Sequence, residues 1–358
     1  MFIKEGGFAP FFITGKRQSM KTFAKRSGFG LAAGAVAILA GCGGTTDAGL
    51  YGDQEPGMGV LNLAVSDSPI KDAAKVCIKF DGVQLKKSDG GAPIDIDFDA
   101  PVVINLLANQ GALSETLVSA EVEAGTYDWV RLKVDAATGN GAGVGDSDPT
   151  DPTCIDEENG SYLLTDVGGL YNIWVPSGAQ TGLKLIGGFT VPAGGAGNYT
   201  AEFDLGKSFI APPGLGTGEA IMKPVVKLVQ DNSVGILNGT VSDVLVTDPS
   251  ICDPEAEIPP SVYVYADDAD PANSVDGDGA SEPIATGLVA RAMQGAPYTY
   301  EIGFLLAGTY EVAYTCNGTD FIPPEGKFAE IFVGEVTTVD FLAEDVPPGD
   351  GGDDTALN

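Results

Sequence analysis

The sequence contains no histidine and only two tryptophans, Trp129 and Trp174. Without histidine the chain cannot build a Ser-His-Asp or Cys-His catalyst, or a zinc site with imidazole ligands. Its five cysteines include no C-x-x-C pair, which argues against redox and metal roles. Carboxylates remain, but glycoside hydrolysis needs two of them about 5 to 10 Å apart across a sugar cleft. The two tryptophans offer little for sugar stacking, so we expect no enzyme.

Basic residues are also scarce. The chain has 19 Lys and Arg residues against 50 Asp and Glu residues, for a formal net charge of −31. Six of the 19 basic residues lie before residue 43, so the remainder of the chain is even more acidic. Such a surface repels nucleic acid and anionic lipid headgroups, which excludes DNA and RNA as partners. We interpret the acidity mainly as solvation.

The apolar run at residues 29–40, FGLAAGAVAILA, is too short for a membrane-spanning helix, which needs about 20 residues. Lys21, Lys25 and Arg26 precede it, as in the charged region of a secretory signal. The next residues complete the sequence LAGC at 39–42, which resembles the lipobox of bacterial lipoproteins. That resemblance implies acylation of Cys42 and removal of the residues before it.

We therefore expect residues 1–42 to be a signal peptide with an upstream extension, since Met20 would begin a signal of ordinary length. Residues 43–58 are rich in glycine and polar residues and are interpreted as a flexible tether. Several acyl chains would hold the protein on a membrane permanently. The residue after the cysteine is Gly43, and in this the chain resembles the lipoproteins that are sorted to the outer membrane. The expected location is the bacterial cell envelope, on the periplasmic or surface face of that membrane.

Four cysteines remain after Cys42: Cys77, Cys154, Cys252 and Cys316. An exported protein meets oxidising conditions, so this even number predicts disulfides, with three possible connectivities. If two domains fold separately, Cys77 pairs with Cys154 and Cys252 pairs with Cys316.

Strand signals recur along the chain. Its 50 glycines and 23 prolines favour many short strands joined by turns. Alternating apolar residues, as in WVRLKV at 129–134 and SVYVY at 261–265, predict sheets with one solvated face. Residues 106–124 are the one competing helix candidate, with at most a turn or two expected. The predicted fold is all-β, with two tandem antiparallel β-sandwiches.

Two short motifs repeat in the same order. GVLNLAVSD at 59–67 matches GILNGTVSD at 235–243, and AGTYDWV at 124–130 matches AGTYEVA at 307–313. This predicts two sandwiches of related topology. In both AGTY motifs the tyrosine, Tyr127 or Tyr310, is expected to bury its ring and to bond the turn backbone through its hydroxyl, as in a tyrosine corner.

Three further stretches are distinctive: VSDSPIKDAAKVCIKFDGVQL at 65–85, WVPSGAQTGLKLIGGFTVPAGG at 174–195 and MKPVVKLV at 222–229. Through them, residues 59–232 resemble an uncharacterised domain family that is common in lipoproteins of Gram-negative bacteria. The resemblance implies a β-sandwich of the transthyretin or immunoglobulin kind and supplies no activity. Residues 235–343 resemble the carboxypeptidase regulatory-like, or prealbumin-like, module through SVYVYADD and LLAGTYEVAYT. Such modules bind partners or space a surface protein. Residues 344–358 are expected to be a disordered acidic tail.

The best candidate for a metal site is the acidic insertion DDADPANSVDGDG. It places several oxygen donors in one loop, as calcium coordination requires: Asp267, Asp268, Asp270, Asp276 and Asp278. The spacing does not match an EF-hand, and a solvated acidic loop is the alternative. No other cofactor is expected.

These observations favour a lipid-anchored, non-enzymatic envelope protein that acts in binding, adhesion or structure. Its partners would be the membrane, through the anchor, and a glycan or another envelope protein. The alternative is a calcium-dependent binder of carbohydrate or envelope polymer. A glycan-active hydrolase is the weaker third possibility.

Overall fold

The structure, a computed structural model, describes residues 57–68, 70, 72–136, 148–155, 160–176, 182–209, 219–253, 258–267, 271 and 283–347. All of them belong to the second of two compact units, Gln54–Asn358. The predicted signal peptide, the lipobox with Cys42, most of the tether and residues 348–358 of the tail lie outside the described residues. Within the described ranges, no helix is long and apolar enough to cross a bilayer.

The first sandwich is built from two sheets. Its strands are β1 (Met58–Ser68), β2 (Ala73–Lys87), β3 (Ile94–Asn105), β4 (Glu115–Glu123), β5 (Gly125–Val134), β6 (Tyr162–Thr165), β7 (Leu170–Trp174), β8 (Leu183–Val191), β9 (Ala196–Asp204), β10 (Glu219–Ile221) and β11 (Val226–Gln230). One sheet has the order β11-β9-β1-β4. The other has the order β10-β7-β6-β2-β5-β8, with β3 also paired to β2. The predicted all-β fold is confirmed.

The second sandwich has seven strands among the described residues. They are β12 (Val234–Val241), β13 (Ser261–Ala266), β14 (Ala285–Leu288), β15 (Tyr298–Leu306), β16 (Gly308–Thr315), β17 (Phe321–Ile331) and β18 (Val336–Thr338). Its sheets have the orders β15-β12-β18 and β14-β13-β16-β17. Helical segments are short: α1 (Leu205–Ser208), α2 (Asp243–Thr247) and 3₁₀ turns at Leu106–Ala108, Asp231–Ser233 and Ala343–Asp345.

The two sandwiches share one topology. The repeated GxLN motif begins the first strand of each, which pairs antiparallel with one strand (β1 with β4, β12 with β15) and parallel with another (β1 with β9, β12 with β18). The opposite sheets correspond as well, since β3-β2-β5-β8 matches β14-β13-β16-β17. The first sandwich adds β6 and β7 between β5 and β8, and β10 and β11 after β9. The expectation was purely antiparallel sheets, and the pairs β1–β9 and β12–β18 depart from it because they are parallel. In both cases the chain crosses from one sheet to the other just before the second strand of the pair.

Both cores follow from the alternation of each strand. In β1, Leu61, Leu63 and Val65 are buried, and they pack in the same cluster as Leu132 and Phe203 of the first sandwich. A second cluster fills the second sandwich, and it includes residues of β12, β13, β15 and β16. Each sandwich therefore encloses its own apolar core between two sheets.

The AGTY motif forms the crossing between sheets in both sandwiches, from β4 to β5 and from β15 to β16. The Tyr127 ring is fully buried, and its hydroxyl donates to the Glu123 carbonyl oxygen at 2.6 Å. The hydroxyl of Tyr310 donates to the Leu306 carbonyl oxygen at 2.7 Å in the same relation. Gly125 precedes the tyrosine with φ +143°, a conformation that favours glycine. The hydrogen bonds predicted for both tyrosines are confirmed.

Each sandwich contains one disulfide. Cys77 on β2 bonds Cys154, 77 residues later, and Cys252 bonds Cys316, 64 residues later. This is the pairing expected when the two sandwiches fold separately. In the chain-entropy description, loops of this length give about 4 kcal/mol of stabilisation each.

The helix candidate at residues 106–124 contains only the 3₁₀ turn Leu106–Ala108 and is otherwise mostly the strand β4. A bulge opposite Leu63 and Ala64 leaves one extra residue in β4, Leu117. Its buried residues, Leu117 and Val122, are therefore out of phase with each other. Because the bulge interrupts the alternation of apolar and polar residues, the sequence pattern did not predict this strand.

A polar cleft where the two sandwiches meet

The two sandwiches are in direct contact. The Lys207 ammonium donates to the Pro283 carbonyl oxygen at 2.7 Å, and the Lys227 ammonium donates to that of Ile284 at 3.1 Å. On the other side of the contact, a Cβ added to Gly303 would lie 2.2 Å from the carbonyl oxygen of Gly111. The backbones of the two sandwiches thus approach as closely as glycine allows.

A cleft of about 590 Å³ opens beside this contact. Residues of both sandwiches line it: Gln110, Gly111, Asn238, Gly239, Thr240, Leu288, Ala290, Arg291, Ala292, Thr299, Tyr300, Glu301, Thr338 and Asp340. Its volume is in the range of ligand sites, about 300 to 1,000 Å³. The first sandwich contributes the turn before β4, and the second contributes the outward face of β12, β15 and β18.

Strand periodicity places the polar side chains in the cleft. In β12, Asn238 and Thr240 alternate with the buried Leu237 and Val241. Asn238 lies between Glu301 of β15 and Thr338 of β18 in the sheet register. The Thr338 hydroxyl donates to the Asn238 amide oxygen at 2.9 Å.

Two carboxylates in the cleft are held by neighbours. The Asp340 carboxylate accepts from the Thr240 backbone N–H at 2.7 Å and from its hydroxyl at 2.8 Å. The Glu301 carboxylate accepts from the backbone N–H of Ala112 at 3.0 Å, which ties the two sandwiches together. These bonds fix each carboxylate in position and suit it to hydrogen bonding with a polar ligand.

Arg291 supplies the positive charge of the cleft. Its guanidinium lies 4.8 Å from the ring centroid of Tyr298, within cation–π range. Below it, Tyr300 is buried and donates its hydroxyl to the Val339 carbonyl oxygen at 2.6 Å, and burial raises the pKa of Tyr300. One cation thus shares the cleft with amide, hydroxyl and carboxylate groups that neighbouring residues hold in place.

A second cavity of about 300 Å³ lies where α1 faces β13 and β14. Asp204, Lys207 and Tyr263 are among the residues that line it. The Lys207 ammonium lies 3.5 Å from the Asp204 carboxylate. Burial raises the pKa of the Tyr263 hydroxyl, and the Asp204 charge adds to the shift. This cavity has about half the volume of the cleft. Its two charged residues, Asp204 and Lys207, already pair with each other.

The strongly perturbed carboxyls of the described residues lie elsewhere. Asp67 is 2% exposed and accepts from the Leu205 backbone N–H at 3.3 Å through Oδ1, while Oδ2 has no hydrogen-bond partner. Burial raises the pKa of Asp67 well above its ordinary value. Burial also raises the pKa of Glu202, whose carboxylate lies 3.2 Å from the Lys227 ammonium. Neither residue lines the cleft or the second cavity.

The calcium prediction is largely outside the described residues. Asp268, Asp270, Asp276 and Asp278 are not described. Asp267 is exposed and accepts from the Thr309 hydroxyl at 2.7 Å. In the part of the chain that the structure describes, no three His, Cys, Asp or Glu residues are grouped to hold a metal ion. The calcium site stays a prediction.

The sequence did not single out the cleft residues. The alternation of Asn238 and Thr240 in β12, and of Thr299 and Glu301 in β15, indicates a polar outward face. It does not show that the turn at Gly111 covers part of that face. The cleft arises from the packing of two domains, which no local pattern encodes.

The fold and the cleft define a two-domain β-sandwich protein with a polar site where the domains meet. Residues 58–224 match DUF4382, a domain of unknown function. This is the region in which a family without assigned activity was expected. No curated protein matches the chain. The lipoprotein signal and the carboxypeptidase regulatory-like module stay predictions.

Several solved structures are similar to the chain at low identity. The TIE protein of Bacillus anthracis is 11% identical with a TM-score of 0.18, over 79% of this chain and 34% of its own length. GBS52, the minor pilin of Streptococcus agalactiae, is 10% identical with a TM-score of 0.17, over 78% and 94%. The major pilin of Streptococcus pyogenes is 10% identical with a TM-score of 0.15, over 79% and 96%. The chain thus spans about a third of the TIE protein, and TM-scores of this size transfer neither architecture nor function.

Proposed function

We propose that the chain is a lipid-anchored protein of the bacterial cell envelope that binds a polar ligand and catalyses no reaction. The LAGC sequence before Cys42 supports the anchor. The first described strand begins at Met58, 16 residues after Cys42, which leaves room for the proposed tether. Two disulfides suit a protein that folds in an oxidising compartment. The outer membrane is the proposed location because Gly43 follows the cysteine.

The observation that carries the binding function is the cleft. It has the volume of a ligand site, both sandwiches line it, and its polar groups are fixed by neighbours. Fixed amides, hydroxyls and carboxylates recognise hydroxyl-rich ligands well, because little side-chain entropy is lost on binding. We propose a glycan of the envelope as the ligand.

The anchor is tested by Cys42→Ser in the full-length protein, expressed in a Gram-negative host with a fatty acid that carries an alkyne label. We expect the variant to lose the label and to leave the membrane fraction. Thr46→Ala is the matched control, because it alters the tether and keeps the cysteine. Labelled, membrane-bound Cys42→Ser protein would contradict the anchor.

The cleft is tested on a glycan array with the full-length protein in detergent micelles. Asn238→Ala and Arg291→Ala should each reduce binding about tenfold, since each removes a polar contact. Val167→Ala is the control, since that side chain is 94% exposed on the first sandwich. Turnover of a bound glycan would overturn the non-enzymatic function. Loss of binding in EDTA would favour the calcium-dependent alternative.

A further inference from the structure

A second surface of the molecule is rich in basic side chains, although the chain as a whole is strongly acidic. It is the outward face of β2, β5 and β8, here called the Trp129 face: Gln84, Lys86, Trp129, Arg131, Lys133, Lys184 and Ile186. The sheet register places Arg131 between Gln84 and Lys184, and Trp129 between Lys86 and Ile186. Four basic side chains therefore project from three adjacent strands.

The four cations differ in their partners. Lys133 lies 2.5 Å from the Asp95 carboxylate and 2.6 Å from that of Asp97, so its charge is matched. The Lys86 ammonium bonds the Gly91 carbonyl oxygen. Arg131 and Lys184, by contrast, form no ion pair with any carboxylate of the described residues. The hydrogen bond from Lys133 lowers the pKa of the Asp95 carboxyl, and the Arg131 charge adds to that shift only from a distance. Two positive charges without a direct carboxylate partner among the described residues thus lie side by side at the centre of the face.

Arg131 and Lys184 are direct cross-strand neighbours, with Cβ atoms about 5 Å apart. Like charges in this relation destabilise a sheet. Each cation lies 4.8 Å from the centroid of the Trp129 ring, which holds both in place. The Arg131 guanidinium donates through Nη1 to the Gln84 amide oxygen at 2.8 Å, and its Nε is buried. An anionic group beside both cations would relieve the repulsion through the outer edge of the guanidinium and the ammonium of Lys184, which is exposed.

We propose that the Trp129 face binds an acidic polysaccharide, with one carboxylate of the glycan held jointly by Arg131 and Lys184. Trp129 and Ile186 supply the apolar contact for the sugar ring, and the Ile186 side chain is 82% exposed. Charge complementarity carries the attraction at short range. This site is separate from the cleft and adds an anionic ligand to the function proposed above.

The net charge of −31 decides which polyanion can approach. An anionic bilayer or a second copy of the chain is an extended surface, so much of the acidic exterior would oppose it. A single polysaccharide strand can contact the Trp129 face alone. At physiological salt the screening length is about 8 Å, which spans the neighbouring strands but not the whole protein. Binding should therefore be strongest at intermediate ionic strength, because low salt exposes the net repulsion and high salt screens the local attraction.

The test measures binding of polygalacturonate to the full-length protein in detergent micelles, by calorimetry and by tryptophan fluorescence. Lys184→Gln should weaken binding about tenfold and Arg131→Gln with Lys184→Gln roughly a hundredfold. Lys223→Gln is the matched control, because Lys223 is an exposed lysine away from this face. An unchanged melting temperature in each variant shows that the fold is intact. Asn238→Ala should keep polygalacturonate binding, which separates this site from the cleft.

Several results would overturn the proposal. Equal binding of neutral dextran would remove the role of charge, and an equal loss in Lys223→Gln would remove the role of this face. Binding to phosphatidylglycerol vesicles but not to polygalacturonate would assign the face to a membrane. Self-association in sedimentation that Lys184→Gln abolishes, without polygalacturonate binding, would assign it to a second copy.

Discussion

A Cβ added to Gly59 would lie 2.3 Å from the carbonyl oxygen of Pro192. Gly235 stands in the same relation to Phe332, again at 2.3 Å. In each sandwich the first strand passes the turn that leads into its parallel neighbour, and only glycine leaves room for that turn. The glycine that begins the repeated GxLN motif is thus explained by a single close contact, used twice.

Gly59→Ala should destabilise the first sandwich by about 1 to 3 kcal/mol, because the added methyl overlaps a backbone oxygen that cannot move freely. The measurement is the urea midpoint of the full-length protein. Gly187→Ala in β8 is the matched control, since nothing lies within 4 Å of its added Cβ. Equal effects of the two substitutions would show that strand propensity, and not the close contact, decides the result.

Much of the fold was predictable because its determinants are local. The repeated motifs mark equivalent strands and crossings, and the buried ring of Tyr127 follows from a turn that needs glycine before it. The inserted strands β6 and β7 and the bulge at Leu117 were not predictable, since neither changes the local pattern in a recognisable way. The cleft depends on how Gly111 meets Gly303 across two domains. Such contacts leave no periodic signal in the sequence.

The two tyrosine corners predict that each sandwich loses stability when its tyrosine hydroxyl is removed. Tyr127→Phe and Tyr310→Phe each remove one hydrogen bond to a turn carbonyl, at a cost of about 1 kcal/mol. This lowers the melting temperature by about 2 to 4 °C in the larger first sandwich and by about 4 to 8 °C in the smaller second one. Calorimetry of the double variant should show the sum of the two losses, because the residues lie in different sandwiches. A double variant no less stable than either single variant would contradict independent corners.

Asp67 predicts a pH dependence of known sign. Its pKa in the folded chain lies well above the ordinary value of 3.8, because burial disfavours the charged form. As pH rises above 3.8, the unfolded chain releases this proton while the folded chain retains it, so the free energy of unfolding falls. The stabilising contribution is complete below that pH and is lost as pH rises through the raised pKa.

Asp67→Asn keeps an acceptor for the Leu205 N–H and removes the ionisation. Its melting temperature should exceed that of the unaltered protein by a few degrees, about 2 to 4 °C per kcal/mol, at pH 7, and the difference should vanish near pH 3. Asp99→Asn, an exposed aspartate, is the control and should change little. A variant less stable than the unaltered protein at pH 7 would show that the folded Asp67 is ionised and held by its bonds.

The close contact between Gly111 and Gly303 predicts that a substitution there opens the contact between the sandwiches and leaves each sandwich folded. Gly303→Ala places a methyl 2.2 Å from the Gly111 carbonyl oxygen, so the two backbones must separate there. The Ala112 amide, which donates to Glu301, should then exchange its hydrogen at least tenfold faster, while amides of β12 and β2 keep their protection. Unchanged exchange at Ala112 would mean that the contact yields elsewhere and does not define the cleft.

The proposed anchor, one acylated cysteine that holds the protein to a bacterial envelope, can be examined by mass spectrometry of the mature N-terminus. We expect the N-terminal peptide to begin at Cys42 and to carry a diacylglyceryl group and an amide-linked acyl chain. A mature chain that begins elsewhere, or an unmodified Cys42 on a protein that still sediments with membranes, would contradict it.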